Sequence, residues 1–340
     1  MRTISFVIVG VGNIGEKYAY LLKNIAQAEL VAAVDIDFSK RKRIQNLIPF
    51  FTSLEDFLHA KIPADVVCIC TPNGLHPHHT IKCLNMGYHV ICEKPVAIHS
   101  EDVIKMIEAE RISGKKVFAV MQNRYSPVAI WLKKLLDSQR LGELKFLQIN
   151  CFWNRNERYY SDAPWRATKA IGGGPLYSQF SHFIDLMIWC CGTMYNIESE
   201  FFTLNPSLKT EFEDSGIIRF DLPNGGKGIF NFTNAAFEHN IESSLTIIGT
   251  SGNVKVGGQY MEKLEFVNLD ENFEIPVFEQ ITQANHYQYF RGSADKHDVF
   301  LQKVIDCLTQ DLNPEIGLED ELKVIQFIEK AIIYAESKSY

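Results

Sequence analysis

The stretch SFVIVGVGNIG, residues 5–15, determines the fold class that this 340-residue sequence predicts. Its first five residues are almost all apolar, which is typical of a strand buried on both faces. The glycines that follow fit the pattern G-x-G-x-x-G, and a helical pattern begins soon afterwards over Tyr18–Leu22. The glycine pattern alone is a weak signal, but its position between a strand and a helix is typical of a dinucleotide-binding unit.

Each glycine of this turn has a mechanical role. Gly10 permits the tight turn, Gly12 lets the backbone approach a pyrophosphate, and Gly15 lets helix and strand pack closely. The start of the helix, at Asn13 and Ile14, presents free N–H groups and a partial positive charge to the pyrophosphate. We therefore predict that these five residues bind the cofactor.

An acidic residue ends the second predicted strand. Asp35 follows Gly15 by about 20 residues, where a carboxylate binds the hydroxyls of the adenosine ribose. Because a carboxylate there repels a 2′-phosphate, the sequence favours NAD over NADP. Lys40 and Arg41 are close enough in sequence to accept a phosphate, so NADP stays an alternative. The basic cluster Lys40–Arg43 is otherwise interpreted as a solvated helix face.

Short apolar runs alternate with helical patterns up to about residue 122. These runs cover residues 5–9, 30–34, 64–70, 88–92 and 116–120. Strands and helices that alternate on this scale predict an α/β protein with a doubly wound parallel sheet, the Rossmann architecture. We assign residues 1–123 to an NAD-binding domain.

The pattern changes after Asn123. Alternating residues between Ile197 and Val267, interrupted by turn signals such as residues 223–226, indicate antiparallel strands. A strongly apolar helix is predicted to start near Tyr177, and two further helices follow residue 294. Residues 124–340 therefore form a predicted α+β domain with a mostly antiparallel open sheet, for substrate binding and oligomerisation.

Composition argues against several classes of protein and site. The net charge is −7 and no basic stripe stands out, so we expect no nucleic-acid partner. No window of 18 apolar residues or signal-peptide pattern occurs, which predicts a cytoplasmic protein without a membrane anchor. The 8 cysteines lack C-x-x-C spacing. In His76–His79, Pro77 is expected to open a helix, consecutive residues do not share a helix face and no carboxylate set accompanies the histidines, so no metal is expected.

Three later motifs resemble the Gfo/Idh/MocA family of oxidoreductases. They are TPNGLH at residues 71–76, EKP at 93–95 and GGGPL at 172–176, the last before a helix that carries His182 and Asp185. Their order and spacing extend the resemblance over nearly the whole chain, and the EKP motif is its most specific part. The resemblance implies an NAD(P)-dependent dehydrogenase acting on a CH–OH group.

The resemblance also assigns roles to individual residues. Lys94 lies between cofactor and substrate, where a lysine can orient the reacting hydroxyl and stabilise charge as its proton leaves. His182 matches the catalytic histidine, which accepts that proton while hydride leaves to the nicotinamide. The further residues expected to bind the cofactor are Thr71, Pro72, Asn73, His76, Glu93 and Lys94.

One position departs from the family pattern. Many members carry Asp four residues before the histidine, and this chain has Ser178 there. The i, i+4 spacing predicts that Ser178 and His182 share one helix face. A serine cannot supply the negative charge that raises the basicity of a histidine. Either His182 works with Lys94 alone, or the substrate supplies the carboxylate. Asp185 is interpreted as a structural brace.

Two segments, residues 154–160 and 165–168, are dense in Arg, Tyr and Trp. They follow the first predicted strand of the second domain, where the family lines its substrate cleft. Arginine binds carboxylates and phosphates through paired hydrogen bonds, and aromatic rings stack on sugars or bases. A structured surface loop is the alternative interpretation. The predicted substrate-binding residues are Lys94, Arg124, Tyr125, Arg155, Trp165, Arg166, Ser178 and His182.

These segments, together with residues 289–297, resemble the nucleotide-sugar members of the family, the UDP-N-acetylglucosaminuronate 3-dehydrogenases of lipopolysaccharide biosynthesis. The resemblance implies hydride transfer from C3 of a UDP-N-acetyl sugar acid, with a nucleotide sugar as the small-molecule partner. Two alternatives stay open: a dehydrogenase of a free polyol or sugar such as an inositol, and a non-catalytic cofactor-binding regulatory protein. By analogy with relatives, an exposed sheet face of the second domain predicts a homodimer or homotetramer.

Overall fold

The computed structural model describes residues 2–44, 47–269, 276, 278, 284–286 and 291–338. The chain forms two compact units. The first comprises Met1–Met121 and His297–Leu322, and the second comprises Gln122–Lys296 and Lys323–Tyr340. Residues 297–322 thus lie in the first unit, although the sequence pattern placed them in the second domain. The functions expected of the two domains remain predictions.

A parallel sheet of six strands forms the centre of the first unit. Its strands are β1 (Ile4–Val9), β2 (Ala28–Val34), β3 (Phe50–Phe51), β4 (Val66–Ile69), β5 (His89–Cys92) and β6 (Val117–Ala119). The order β3-β2-β1-β4-β5-β6 is that of the Rossmann fold, which confirms the predicted fold class. All four residues of β4 are buried, as expected of a strand that is covered on both faces.

Helices connect these strands and continue through the second unit. They are α1 (Asn13–Lys23), α2 (Leu54–Ala60), α3 (His76–Asn85), α4 (Ser100–Ser113), α5 (Pro127–Asp137), α6 (Glu157–Ser161), α7 (Lys169–Gly172), α8 (Pro175–Ser178), α9 (Ser181–Cys191), α10 (His297–Thr309) and α11 (Leu318–Lys338). Within the described part of the chain, every helix is too short or too polar to cross a bilayer.

The second unit is built around a sheet of seven strands, in the order β13-β12-β11-β7-β10-β9-β8. The strands are β7 (Leu144–Phe152), β8 (Tyr195–Phe202), β9 (Ser215–Asp221), β10 (Lys227–Thr233), β11 (Glu242–Gly249), β12 (Asn253–Gly257) and β13 (Lys263–Asn268); β14 (Ala284–His286) and β15 (Arg291–Ala294) form a separate antiparallel pair. Among the described residues of this seven-stranded sheet, β7 and β10 pair in parallel and the other neighbouring strands pair antiparallel, so the predicted, mostly antiparallel sheet is confirmed.

The apolar helix that was predicted to start near Tyr177 begins later, at Ser181. The helical hydrogen bonds are interrupted around Gln179, whose side chain is held from two directions. Its Nε2 donates to the hydroxyl of Tyr159 at 2.7 Å, and Asn234 donates to its Oε1 at 2.9 Å. These buried tertiary hydrogen bonds fix the chain between α8 and α9, and the sequence pattern does not reveal them.

The cysteines are free thiols. Burial raises the pKa of all eight thiols. For Cys83 and Cys191 the raised pKa is about 12. Such thiols remain protonated at neutral pH and behave as small apolar side chains.

Candidate functional site

The glycine turn after β1 is packed tightly at two positions and open at a third. Gly10 has a φ of +97°, and a Cβ there would lie 2.6 Å from the carbonyl oxygen of Cys70. A Cβ at Gly15 would lie 2.0 Å from the carbonyl oxygen of Gly10. A Cβ at Gly12 would have no atom within 4 Å. The turn therefore offers an open side at Gly12, where a ligand can approach the backbone.

The start of α1 lies beside this opening. Gly12 is the N-cap residue of the helix, Asn13 is exposed and Ile14 is half-buried. The first N–H groups of a helix have no partner within the helix and carry partial positive charge. The arrangement can therefore bind an anion such as a pyrophosphate.

Asp35 lies directly after β2 and is 7% exposed. Its carboxylate accepts hydrogen bonds from the backbone N–H of Val11 at 2.7 Å and of Asp37 at 2.9 Å. It also forms an ion pair with Lys40, 3.0 Å away. Asp35 thus lies at the predicted place, beside the glycine turn. The basic cluster, predicted as a helix, forms a 3₁₀ helix over Phe38–Arg43.

Glu93 and Lys94 follow β5. The Glu93 carboxylate is buried and accepts from the Tyr18 hydroxyl at 3.0 Å and from the Lys94 backbone N–H at 3.2 Å. His297 Nε2 lies 3.6 Å from Glu93 Oε1. Burial tends to raise the pKa of Glu93, but His297, Lys94 and Tyr18 outweigh it and lower the pKa below its usual value. Lys94 is half-buried, and its peptide bond to Pro95 is cis.

His76 joins the loops that follow β4 and β5. Its ring is 1% exposed, with Nδ1 2.8 Å from the carbonyl oxygen of Pro95 and Nε2 2.7 Å from that of Thr71. Burial lowers the pKa of His76, although the hydrogen bonds to Pro95 and Thr71 oppose this effect. The predicted cofactor residue His76 therefore braces the loop that carries Lys94. Of its neighbours, Asn73 is buried and Pro72 is half-buried.

His182 lies in the first turn of α9 and is 1% exposed. The side-chain amide of Gln122 lies 3.4 Å from His182 Nε2 and donates to Ser293 Oγ at 3.1 Å. An amide N–H can only donate, so this contact suits an imidazole whose Nε2 is unprotonated. Such a nitrogen can accept a proton. Gln122 and Ser293 are not among the site residues that the sequence predicts.

Arg124 and Asp185 form a buried ion pair within the second unit. Arg124 Nε donates to Asp185 Oδ2 at 2.8 Å, and Arg124 Nη2 donates to the other carboxylate oxygen. The guanidinium carbon lies 5.2 Å from the centre of the Trp189 ring. Arg124, predicted to bind substrate, is thus engaged by Asp185, which has the bracing position expected of it. Tyr125, next in the same 3₁₀ helix, is half-buried.

Ser178 and His182 do not share one helix face, so that expectation is wrong. Ser178 ends α8, whereas His182 lies on α9, because the chain between them leaves the helical path. Ser178 Oγ donates to the carbonyl oxygen of Gly172 at 2.9 Å. Its hydroxyl thereby fixes the glycine-rich loop, a role that an ionised aspartate could not fill because it has no proton to donate.

Arginine and aromatic side chains stack beside β7. The Arg155 guanidinium lies 4.7 Å from the Trp153 ring and 5.1 Å from the Tyr159 ring, and the Arg166 guanidinium lies 4.4 Å from the Tyr159 ring. Trp165 lies 5.7 Å from the Arg166 guanidinium. Burial lowers the pKa of Arg155. We call these five residues the arginine–aromatic cluster; it concentrates positive charge and flat surfaces, which suit anionic groups and rings.

The segment 289–297, whose pattern resembles the nucleotide-sugar members of the family, is only partly described. Tyr289 and Phe290 lie outside the described residues. Ser293 contacts Gln122, and Asn285 donates to the carbonyl oxygen of Ser293 at 2.9 Å. Among the residues that the structure describes, no group of three or more His, Cys, Asp or Glu side chains is arranged to hold a metal ion.

Two family models match the chain. The Gfo/Idh/MocA model, described as an oxidoreductase family with an NAD-binding Rossmann fold, matches residues 4–121, and the model of the Gfo/Idh/MocA C-terminal domain matches residues 130–255. Among curated proteins, the inositol 2-dehydrogenase of Salmonella typhimurium is 25% identical over 251 residues, which cover 72% of this chain and 71% of the relative.

Solved structures extend the similarity to nearly the whole chain. The WlbA dehydrogenase of Bordetella pertussis, in complex with NADH and UDP-GlcNAcA, has a TM-score of 0.88 and 30% identity over 98% of this chain and 97% of its own. The WlbA dehydrogenase of Chromobacterium violaceum, with the same ligands, has a TM-score of 0.89 and 31% identity over 99% and 95%. The chain belongs to the Gfo/Idh/MocA family of NAD-dependent oxidoreductases.

Proposed function

We propose that this protein oxidises the C3 hydroxyl of a UDP-N-acetyl sugar acid with NAD, as a step in the biosynthesis of a surface polysaccharide such as lipopolysaccharide. The observation that carries the proposal is the near full-length similarity to two WlbA dehydrogenases that bind NADH and UDP-GlcNAcA. The similarity to inositol 2-dehydrogenase has lower identity and covers less of the chain.

The residues of the first unit fit a dinucleotide. The open side at Gly12 and the free N–H groups at the start of α1 suit the pyrophosphate, and Asp35 suits the ribose hydroxyls. When it is bound, NAD supplies the nicotinamide that accepts the hydride. Glu93 is already ionised and held in place by its neighbours, so it can accept a hydrogen bond from a ribose without rearrangement.

We assign the proton chemistry to Lys94 and His182. Lys94 donates to the reacting oxygen and stabilises the negative charge that develops on it. His182 accepts the hydroxyl proton on its imidazole ring, which lies beside the side-chain amide of Gln122. Because residue 178 is a serine, no carboxylate from that position supports His182, and the Ser178 hydroxyl donates to the carbonyl oxygen of Gly172. The carboxylate of a sugar-acid substrate can take that role.

We assign substrate recognition to the arginine–aromatic cluster. Two guanidinium groups next to flat rings suit a diphosphate or carboxylate attached to a sugar or base. Arg124 contributes indirectly in this scheme, because its pairing with Asp185 fixes the 3₁₀ helix that carries Tyr125. This refines the expectation that Arg124 itself contacts the substrate.

The test is NADH formation, followed by absorbance, with NAD and a panel of UDP-GlcNAcA, UDP-GlcNAc, UDP-glucuronic acid and myo-inositol. We expect the highest kcat/KM with UDP-GlcNAcA. A higher value with myo-inositol would support the second candidate, a free-polyol dehydrogenase, which the relative from Salmonella favours. Binding of NAD without any turnover would instead indicate a regulatory protein.

The second sheet offers a surface for self-association. On its outward face, Phe146 of β7 is directly paired with Ile248 of β11, and both are more than a third exposed, as is Ile217 of β9. We propose that a homodimer or homotetramer covers this face, in the cytoplasm where nucleotide substrates are available. Light scattering should give a dimer or tetramer for the wild type and a smaller species for Ile248→Lys; a monomeric wild type would contradict this.

A further inference from the structure

The carboxylate of Asp35 has its acceptor positions filled by groups of its own chain. An ionised carboxylate offers about four lone-pair positions, two on each oxygen. Oδ2 accepts from the Val11 N–H at 2.7 Å and from Lys40 Nζ at 3.0 Å. Oδ1 accepts from the Asp37 N–H at 2.9 Å and from Lys40 Nζ at 3.1 Å. Each oxygen therefore has one backbone donor and shares the ammonium group of Lys40.

These two kinds of donor differ in how easily they can be displaced. The Val11 and Asp37 N–H groups belong to the backbone of the glycine turn and of the chain after β2, so they stay in place when a ligand arrives. Lys40 is held by a flexible side chain that is 31% exposed, whereas the Asp35 side chain is 5% exposed. The ammonium group therefore lies between the carboxylate and solvent, and it is the donor that a ligand can displace.

We propose that Lys40 is a specificity-determining residue of the cofactor site, which competes with the adenosine ribose for Asp35 and weakens the preference of Asp35 for NAD over NADP. The proposal rests on dinucleotide binding at the glycine turn, as described above. Ribose hydroxyls that donate to Asp35 must take the positions that Lys40 now holds. A 2′-phosphate needs no such exchange, because it can accept hydrogen bonds from the same ammonium group.

The charges explain why Lys40 weakens the preference for NAD over NADP. A bare carboxylate near a 2′-phosphate would repel it, and this repulsion is what gives an acidic residue its preference for NAD. Lys40 neutralises that carboxylate and adds a donor beside it. The sequence predicts that Lys40 and Arg41 are both able to bind a phosphate. The structure distinguishes them, because the Arg41 guanidinium lies 5.9 Å from the centre of the Phe38 ring, whereas Lys40 pairs with Asp35.

The test compares Lys40→Met with Lys42→Met. Both changes remove one positive charge from the same 3₁₀ helix, but Lys42 is an exposed residue. Dissociation constants for NAD, NADP, NADH and NADPH are measured by calorimetry and by NADH or NADPH fluorescence, independently of turnover. We expect Lys40→Met to bind NAD about threefold more tightly, the scale of a partly exposed ion pair, and NADP about tenfold more weakly. Lys42→Met should change the ratio of the two constants by less than about twofold.

A double-mutant cycle isolates the competition for Asp35. In an Asp35→Asn protein, the added Lys40→Met change should no longer tighten NAD binding, because both the competitor and its target are gone. An unchanged NAD to NADP ratio in Lys40→Met, or an equal effect of Lys42→Met, would overturn the proposal while leaving the cofactor site intact. A wild type that binds none of the four nucleotides would overturn the cofactor assignment itself.

Discussion

Lys94 is the second residue after β5 and lies half-buried beside the buried carboxylate of Glu93. We expect Lys94→Ala to bind NAD with nearly unchanged affinity but to lose at least ~10²-fold in kcat, the scale of electrostatic and proton-transfer contributions. Single-turnover and steady-state rates of NADH formation measure this. Lys105→Ala, which removes an exposed helix lysine paired with Asp102, is the matched control. Full activity of Lys94→Ala would remove it from the proposed chemistry.

Ser178 gives a second prediction at the same scale. In Ser178→Asp a carboxylate would face the carbonyl oxygen of Gly172, in place of the donor now 2.9 Å away. We expect the free energy of unfolding to fall by about 1–3 kcal/mol, against about 1 kcal/mol for Ser178→Ala. Urea denaturation measures both. If restoring the family's usual Asp increased stability and rate, the serine would not be the loop's anchor.

The sequence identifies most of the charged residues of the site but not their partners. Glu93 belongs to a recognisable motif, whereas nothing in the sequence pattern connects it with Tyr18 or His297, which lie far away along the chain. The same holds for Gln122 beside His182. Motifs report residues that contact the ligand, while supporting contacts depend on tertiary packing and leave no local periodicity.

At the scale of elements, two glycines of the β1–α1 turn have different roles: Gly15 is needed for packing, and Gly12 leaves room for a ligand. We expect Gly15→Ala to lose about 2 kcal/mol or more of unfolding free energy, because its Cβ would lie 2.0 Å from the Gly10 carbonyl oxygen. Gly12→Ala should stay within about 0.5 kcal/mol of wild type, because nothing lies within 4 Å of that Cβ. Its NAD affinity should nevertheless fall about tenfold, since the added methyl occupies the open side where a pyrophosphate approaches.

Urea denaturation and NADH titration of both variants provide the measurement. Unimpaired NAD binding by Gly12→Ala would show that the cofactor does not approach the turn from its open side. The two variants serve as controls for each other, because each adds the same methyl group to the same turn.

Strand β5 carries a pH-sensitive contact. His89 Nδ1 accepts from the backbone N–H of Lys116 at 3.0 Å, which requires an unprotonated ring nitrogen. Burial, with the charges of Lys115 and Lys116, lowers the pKa of His89 to about 4, against 6.5 for the ordinary side chain. As pH falls from 6.5 to about 4, the unfolded chain takes up a proton that the folded chain does not, so stability decreases.

We expect His89→Gln to reduce that loss by about 1–2 kcal/mol, after allowance for the part of the ring that solvent screens. Urea midpoints measured at several pH values across this range test the prediction, with the exposed His59 changed to Gln as the control. Identical pH slopes for wild type and His89→Gln would contradict it.

Prediction from sequence worked best for long, periodic elements. The five apolar runs correspond to β1, β2, β4, β5 and β6 within about two residues at each end, a usual uncertainty for boundaries. It missed β3, which has two residues and therefore no periodicity of its own. It also extended α9 backwards, because the hydrogen bonds that hold Gln179 come from distant residues.

At the scale of the whole molecule, the first unit is completed by residues 297–322. In this segment Ile316 accepts a backbone hydrogen bond from Ala119 at 3.2 Å, and Asp311 pairs with Lys116. Local patterns cannot reveal that a helix after an intervening sheet returns to the first sheet, so the sequence placed these residues with the second domain.

A fragment of residues 1–123 should therefore fold poorly and bind NAD at least about tenfold more weakly than the full chain. The fragment lacks helix α10, including His297, which lies beside the Glu93 carboxylate. Joining residues 297–322 to it through a flexible linker should restore binding. Circular dichroism and NADH fluorescence compare the two fragments. Full affinity in the shorter fragment would mean that the returning segment is dispensable.

The return of residues 297–322 also sets the order of events on the ribosome. About 200 residues are made between Met121 and the last residue of that segment, which takes about 10–40 s at usual bacterial or eukaryotic rates. Throughout that interval the nascent Rossmann sheet has its six strands but lacks its closing helix. We therefore expect tight cofactor binding only after residues 297–322 have been synthesised, and a chain stalled before residue 297 to expose apolar surface to chaperones.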